Sequence, residues 1–330
     1  MTPLRRLAGR PWVLAATFVT LLTGCSGRST PSTPDASASW SAPGGSSSVL
    51  FGGNKSLLHQ PLVGPKLAIV RTYHELAHDD FPSAEDTQAL NQGAALLTSF
   101  GKGEWTSIAS GAQDSAIRSF LTKVDQAAVD HHLGAIYVTF NHEADLINGE
   151  RPADFVKAWD HIHSLATDLK VNWQDGGRIH WALILTQGAY APARASRYWP
   201  GAGNVDVVGV DGYNAADCRK HPFTDTYAAT GKPEQPAQLF SQAVSFAARH
   251  GNLPVFIAEW GSVPYHTART RADFIKAMAS YITAHPSIRS EMYWDAHGQN
   301  NACDYNLAND PTATSALAAM AADSRFQAKP

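Results

Sequence analysis

Two glutamates more than a hundred residues apart each close an apolar, β-rich run. Glu143 ends Ala135-Ile136-Tyr137-Val138-Thr139-Phe140-Asn141-His142-Glu143. Glu259 ends Pro254-Val255-Phe256-Ile257-Ala258-Glu259 and is followed by Trp260 and Gly261. Parallel barrels carry their reactive groups on carboxyl ends of strands. Two carboxyl groups facing one another there can divide the work of cleaving an acetal. One protonates the departing oxygen and the other attacks the anomeric carbon, at a separation of about 5–5.5 Å, against about 6.5–9.5 Å when a water must fit between them. The division needs surroundings that keep one carboxyl protonated and the other ionised.

Such a pair needs a rigid frame, and the rest of the chain supplies the pattern of one. Strand-like runs occur at residues 49–52, 67–72, 94–99, 135–140, 180–185, 205–210, 254–258 and 290–294. Helical periodicity lies between them. Ile117, Phe120, Leu121, Val124 and Ala128 share one face, and so do Phe155, Ala158, Trp159, Ile162, Leu165 and Leu169. Segments 236–250 and 271–285 repeat the pattern. Eight strands alternating with helices predict an α/β chain closed into a (β/α)8 TIM barrel, a single catalytic domain over residues 49–330. An open doubly wound sheet shares the alternation but carries a Gly-rich phosphate loop after its first strand. Phe51-Gly52-Gly53-Asn54 is too short and wrongly spaced for that loop.

This count places Glu143 after strand four and Glu259 after strand seven. The placement resembles the clan A glycoside hydrolases. His142-Glu143, Glu259-Trp260-Gly261 and Gly209-Val210-Asp211-Gly212-Tyr213 are similar to glycoside hydrolase family 26, the family of endo-β-mannanases and some β-1,3-xylanases and mixed-linkage glucanases. The resemblance implies Glu143 as acid/base, Glu259 as nucleophile, and a phenol from Tyr213 that fixes and stabilises the nucleophile. One departure is local. Ala144-Asp145-Leu146-Ile147-Asn148-Gly149 lacks the tryptophans usual after the family's acid/base. The implied substrate is a β-linked polysaccharide, β-mannan before others, cleaved with retention and without a cofactor or metal.

Other residues are candidates on their own chemistry. Arg71 shares a strand face with Ile69 and Tyr73, because side chains alternate, and a buried cation beside a carboxylate keeps it ionised. His142 can hold Glu143 or a sugar hydroxyl. Trp260 and Trp294 are expected to offer aromatic platforms in the cleft, whereas Trp105, Trp199 and Tyr190 stay open between cleft and core. Asp211 and Asn214 flank Tyr213 as hydroxyl contacts or turn residues. His74-Glu75-Leu76-Ala77-His78 satisfies H-E-x-x-H, in which His74 and His78 would bind zinc and Glu75 would activate water, provided the segment is a helix. It follows directly on a strand, and Pro82 comes soon after. Besides a hydrolase, two readings stay open: a non-catalytic carbohydrate-binding barrel of the cell envelope, and a zinc protease.

The N-terminus reads as a leader. Arg5, Arg6 and Arg10 precede an apolar stretch too short to span a bilayer comfortably. Leu22-Thr23-Gly24-Cys25 resembles a bacterial lipobox, so residues 1–24 are expected to be a signal peptide and Cys25 the lipidated first residue. Residues 25–48, rich in Ser, Thr, Pro, Ala and Gly, read as a flexible tether. The expected location is the outer face of the cell membrane, or free secretion. Net charge is −3, and removal of the three leader arginines takes it to −6, which excludes an electrostatic nucleic-acid binder. The expected state is a monomer whose one membrane contact is the anchor. With Cys25 acylated, Cys218 and Cys303 remain as an even pair in an oxidising compartment, which predicts a disulfide between loops after strands six and eight.

Overall fold

Eight β-rich runs become eight parallel strands because each can bury both faces. They are β1 Leu50–Gly53, β2 Ile69–His74, β3 Ala95–Phe100, β4 Ile136–Phe140, β5 Ile179–Thr186, β6 Val207–Asn214, β7 Val255–Ser262 and β8 Ile288–Tyr293. They pair in sequence order, β1 closes on β8, and the sheet is a closed barrel: the chain is a (β/α)8 fold. This computed structural model describes residues 48–330 apart from 60–63, 65, 79, 193, 221–227 and 298–302. The expected leader, Cys25 and the tether up to residue 47 lie outside the described residues.

Side chains alternate across the barrel wall. Val70, Leu96, Val138, Leu183, Val210 and Ile257 point outward into the main core beneath the helices. Tyr137 and Phe256, from strands that are not neighbours, meet inside with ring centroids 4.7 Å apart. The helices are α1 Lys55–His59, α2 Ala84–Asn91, α3 Trp105–Ala109, α4 Asp114–Asp130, α5 Pro152–Leu169, α6 Pro236–Arg249, α7 Ala268–Ala284 and α8 Pro311–Ala322. In α4 and α5 the predicted apolar faces are buried, apart from the half-buried Leu169 at the end of α5. The alternation fails once. Between β5 and β6 the described residues form only 3-10 turns, at Gln187–Tyr190 and Ala195–Tyr198, where Pro192 and Pro200 deny a helix its donors.

Two strands differ from the sequence expectation where it matters for the site. β6 runs past Gly209 to Asn214, so Asp211 and Tyr213 are strand residues and not loop residues. β7 runs to Ser262, so Glu259 lies within the strand. The β6–β7 register jumps from Val210↔Ile257 to Asp211↔Glu259, a bulge that leaves Ala258 unmatched. Strict alternation from Ile257 would aim Glu259 outward. The extra residue reverses the phase, bringing Glu259 inward and turning Trp260 out into the core.

Trp260 therefore corrects an expectation: it is fully buried in the layer between barrel and helices, and its indole Nε1 donates to Glu291 Oε2 at 2.5 Å. Glu291 is fully buried as well. Burial pushes its carboxyl up to about 8, against the hydrogen bonds from Trp260 and the Gly52 backbone, so it is protonated in neutral solution. An acid whose pKa is raised by folding holds a proton that the unfolded chain has already released. Its stabilising contribution is full below the ordinary 4.5 and is lost as pH rises through about 8. We expect Glu291→Gln to keep the hydrogen bond from Trp260 and to abolish this part of the pH dependence, on the order of a few kcal/mol across the window. Urea unfolding at about pH 5 and about pH 8.5 checks it; equal slopes in wild type and variant would contradict the assignment.

Candidate active site

Glu259 stands at the carboxyl end of the barrel, 7% exposed. Three side chains converge on it. Tyr213, two residues after Asp211 on β6, donates to Oε2 at 2.5 Å. Tyr73, near the end of β2, donates to Oε1. Arg71, also on β2 and buried, places Nε 3.6 Å from Oε1. Its Nη1 donates to the carbonyls of Leu97 and Thr72, each at 3.2 Å, which fixes the guanidinium from behind. Its Cζ lies 4.3 Å from the centroid of the Tyr73 ring. Two phenols donate to this carboxylate and a buried cation stands beside it. The sequence anticipated Tyr213 near Glu259 and Arg71 beside a carboxylate it did not specify; the fold brings both to Glu259. It did not assign Tyr73 a role, although Tyr73 is the next inward position after Arg71.

Glu143 lies beyond the end of β4. The chain leaves the strand through two non-glycine residues in the left-handed region, Asn141 at φ 45° and Glu143 at φ 51°. Each such residue costs about 1–3 kcal/mol and persists only where its surroundings hold it. They do so here. Asn141 Oδ1 accepts from the Gly103 amide at 2.7 Å and from Trp105 Nε1 at 2.8 Å. The Glu143 amide donates to the Ile184 carbonyl at 3.0 Å. A cavity of about 520 Å³ opens beside Glu143, lined also by Tyr73, Lys102 and His142.

Asp211, 2% exposed, belongs to the same group of charges. Neither of its oxygens has a hydrogen-bond partner among the described residues. Burial pushes its carboxyl well above the ordinary aspartate range; the charges of Glu259 and then Glu143 push the same way, and Arg71 opposes them. Tyr73 links the two glutamates: it donates to Glu259 and lines the cavity beside Glu143. His142 is half-buried, its ring 5.1 Å from that of Tyr73 and edge-on. Its pKa falls to about 3 through burial first, then the charges of Arg71 and Lys102. A neutral imidazole offers one donor and one acceptor, suited to a hydroxyl.

Trp294 follows β8, is half-buried, and meets Tyr73 edge-on at 6.0 Å. Behind it lies a small second core of Cys218, Ala229, Val263, Tyr265, Cys303 and Tyr305, against which Tyr213 and Trp294 pack. Cys218 and Cys303 are disulfide-bonded, with Cα atoms 5.3 Å apart. The three aromatics left open go to packing: Trp105 and Tyr190 are buried, and Trp199 packs on Phe246 and His250. Asn214 is buried, bonded to Ser262 and Tyr265.

The H-E-x-x-H segment does not form a zinc site. His74 is the last residue of β2 and Glu75 to His78 form a turn, so the helix that would align the two histidines is missing. His74 points outward, with Nδ1 3.0 Å from Asp80 and Nε2 3.0 Å from Asp86. His78 pairs instead with Glu75, at 3.4 Å and exposed.

No protein-family model matches the chain, and no curated protein matches it in sequence. Solved structures do match in fold. A modular endo-β-1,4-mannanase from Cellulomonas fimi, from glycoside hydrolase family 26, superposes with TM-score 0.53 at 14% identity, over 84% of this chain and 71% of that one. A family 26 β-mannanase from Bacteroides ovatus gives 0.58 at 11%, over 85% and 90%. A family 5 broad-specificity endoglucanase from a Clostridium gives 0.55 at 10%, over 81% and 85%. At these identities the likeness establishes the shared barrel.

The depressed basicity of His142 has a direct readout. With its pKa near 3, against the usual 6.5, the ring stays neutral from about pH 4.5 upward. Its imidazole NMR resonances are expected to stay at their neutral positions between about pH 4.5 and 8, while exposed histidines titrate near 6.5. A midpoint above about 5.5 would show that the ring is not desolvated as described.

Proposed function

We propose that this chain is a retaining glycoside hydrolase acting on a β-linked polysaccharide, with β-mannan the first substrate to try and internal cleavage the first mode. The observation that carries the reading is the setting of Glu259: an inward carboxylate, held by two phenols and a buried arginine, on the same cleft as a glutamate at a strained strand end. A carboxylate so stabilised is suited to attack. Glu143, held on the far side, is suited to deliver a proton.

In the first step the glycosidic C–O bond breaks as Glu143 gives its proton to the departing oxygen and Glu259 bonds to the anomeric carbon. In the second, Glu143, now ionised, takes a proton from water as that water displaces Glu259. Arg71 and the phenols stabilise the charge on Glu259 before attack and again as it leaves. His142 and Trp294 are placed to hold the sugar by hydroxyl and ring face. Among the described residues no helix is long and apolar enough to cross a membrane. The lipobox-like Cys25 supports attachment at the cell envelope through lipid alone, where a single chain would meet glycans from outside. The mannan preference is supported by the family 26 motifs and by the mannanases among the structural neighbours. A non-catalytic carbohydrate-binding barrel has no use for an arginine and two tyrosines trained on one carboxylate.

The test is reducing-sugar release from mannans, xylans and mixed-linkage glucans, with the product anomer read by NMR. Wild type is expected to give the β-anomer first. Glu143→Ala should lower turnover by about 10²–10⁴-fold, and Glu259→Ala should reduce it to background, both with the native circular-dichroism spectrum. Azide should restore part of each activity as a glycosyl azide, β from Glu143→Ala and α from Glu259→Ala. Inverted product, or near-normal turnover in either variant, would remove the mechanism.

A further inference from the structure

The two phenols on Glu259 are not equivalent. Tyr213 is fixed. Its ring stacks on Tyr305 at 4.6 Å and 29°, its amide donates to Gln187 Oε1 at 3.2 Å, and Tyr305 belongs to the disulfide-linked second core. Tyr73 is on the open side, 38% exposed, and lines the cavity beside Glu143. Its ring neighbours touch it from the edge or from below: His142 at 5.1 Å, Trp294 at 6.0 Å, and the Arg71 guanidinium at 4.3 Å. None of these contacts needs its hydroxyl.

A carboxylate attacks through one oxygen, and the other becomes the carbonyl oxygen of the ester. Oε2 is held by the phenol that cannot leave; Oε1 is held by the phenol that can, with Arg71 Nε 3.6 Å from it. We propose that Oε1 is the attacking atom and that Tyr73 is a displaceable donor, passing its hydrogen bond from Glu259 to the oxygen on the sugar carbon beside the anomeric centre. Tyr73 then sets specificity for a 2-hydroxyl. The inference rests on the hydrolase reading above and deepens it. The step balances. The Oε1–C1 bond forms, the bond from C1 to the departing oxygen breaks, and the proton of Glu143 goes to that oxygen. Tyr73 keeps its proton and changes only its acceptor. As Oε1 loses its charge it becomes a poor acceptor, and hydrogen bonds at the 2-position strengthen in the transition state. A sugar without the 2-oxygen leaves the phenol without that partner in the transition state, and a site built to hydrogen-bond a hydroxyl rejects the analogue that lacks it.

The test compares an aryl β-oligosaccharide of the sugar chosen by the polysaccharide panel with its counterpart lacking the 2-hydroxyl in the reacting unit. Wild type, Tyr73→Phe and Tyr213→Phe are assayed on both, with melting as the control for folding. Tyr73→Phe is expected to lower kcat/KM on the parent by about 10²-fold and to bring the 2-deoxy penalty close to one. Tyr213→Phe should slow both substrates by the same factor and keep the penalty. A Tyr73→Phe enzyme that keeps the wild-type penalty overturns the proposal. Labelling by an activated 2-fluoro glycoside separates the two failures. If wild type is inert and Glu259 takes no label, the hydrolase reading falls and this inference with it. If Glu259 is labelled and Tyr73→Phe behaves as wild type, only the role of Tyr73 falls.

Discussion

The organisation of this molecule turns on one buried carboxylate and the cation and donors gathered on it. An ionised glutamate so little exposed is costly unless opposite charge and donors surround it. Glu259 meets that demand with Arg71, Tyr73 and Tyr213, taken from β2 and β6. Those strands do not pair with each other, so only barrel closure brings their ends together over β7. The closed sheet is thus a condition of the electrostatics as well as a scaffold. Arg71 is itself anchored to backbone carbonyls of β2 and β3, so its charge cannot drift away from the carboxylate. Asp211 marks the limit of this arrangement: burial first, then the charges of Glu259 and Glu143, drive its carboxyl toward the neutral form against Arg71.

The bulge between β6 and β7 decides which side chain occupies this position. Without the unmatched Ala258 the strand phase would aim Glu259 at the helices and Trp260 at the cleft. One extra residue exchanges them. The exchange also accounts for Glu291. Trp260, turned outward, brings an indole N–H into the layer between barrel and helices, where Glu291 accepts its hydrogen bond. A buried carboxyl remote from the cleft is therefore tied to the same local irregularity that forms the site.

Much of the architecture is legible in the sequence because it depends on local periodicity. The eight runs, the buried faces of α4 and α5, and the order of strands carrying Glu143 and Glu259 follow from apolar spacing. Alternation around Arg71 also held the signal for Tyr73, one step further along the same face. Trp260 was not legible, because a bulge is set by pairing with a neighbouring strand distant in sequence and leaves no mark in Val255–Ser262 itself. The same holds for the length of β6: Asp211-Gly212-Tyr213-Asn214 reads as a turn, and it becomes strand because β7 offers partners through Ser262. H-E-x-x-H misleads in the opposite way. The pattern is local, but its chemistry needs a helix, and the preceding strand carries the first histidine outward into a cage of two aspartates.

The two walls of the cleft are held by different means, and this shapes how the site can respond to a ligand. On the β6 and β8 side, Tyr213 and Trp294 rest on a second core closed by Cys218–Cys303. A disulfide joining loops 85 residues apart in sequence removes much of the chain's freedom there. On the β4 side, Asn141 and Glu143 are held by hydrogen bonds to the loop after β3 and to β5, in a backbone conformation that side-chain-bearing residues seldom adopt. Tyr73 lies between these walls with a third of its surface open, touching Glu259 on one side and His142 and Trp294 on the others. A ligand entering the cleft meets two walls held by a disulfide, hydrogen bonds and packing, with Tyr73 on the open side between them. If Tyr73 exchanges partners as proposed, adaptation to the ligand is concentrated there.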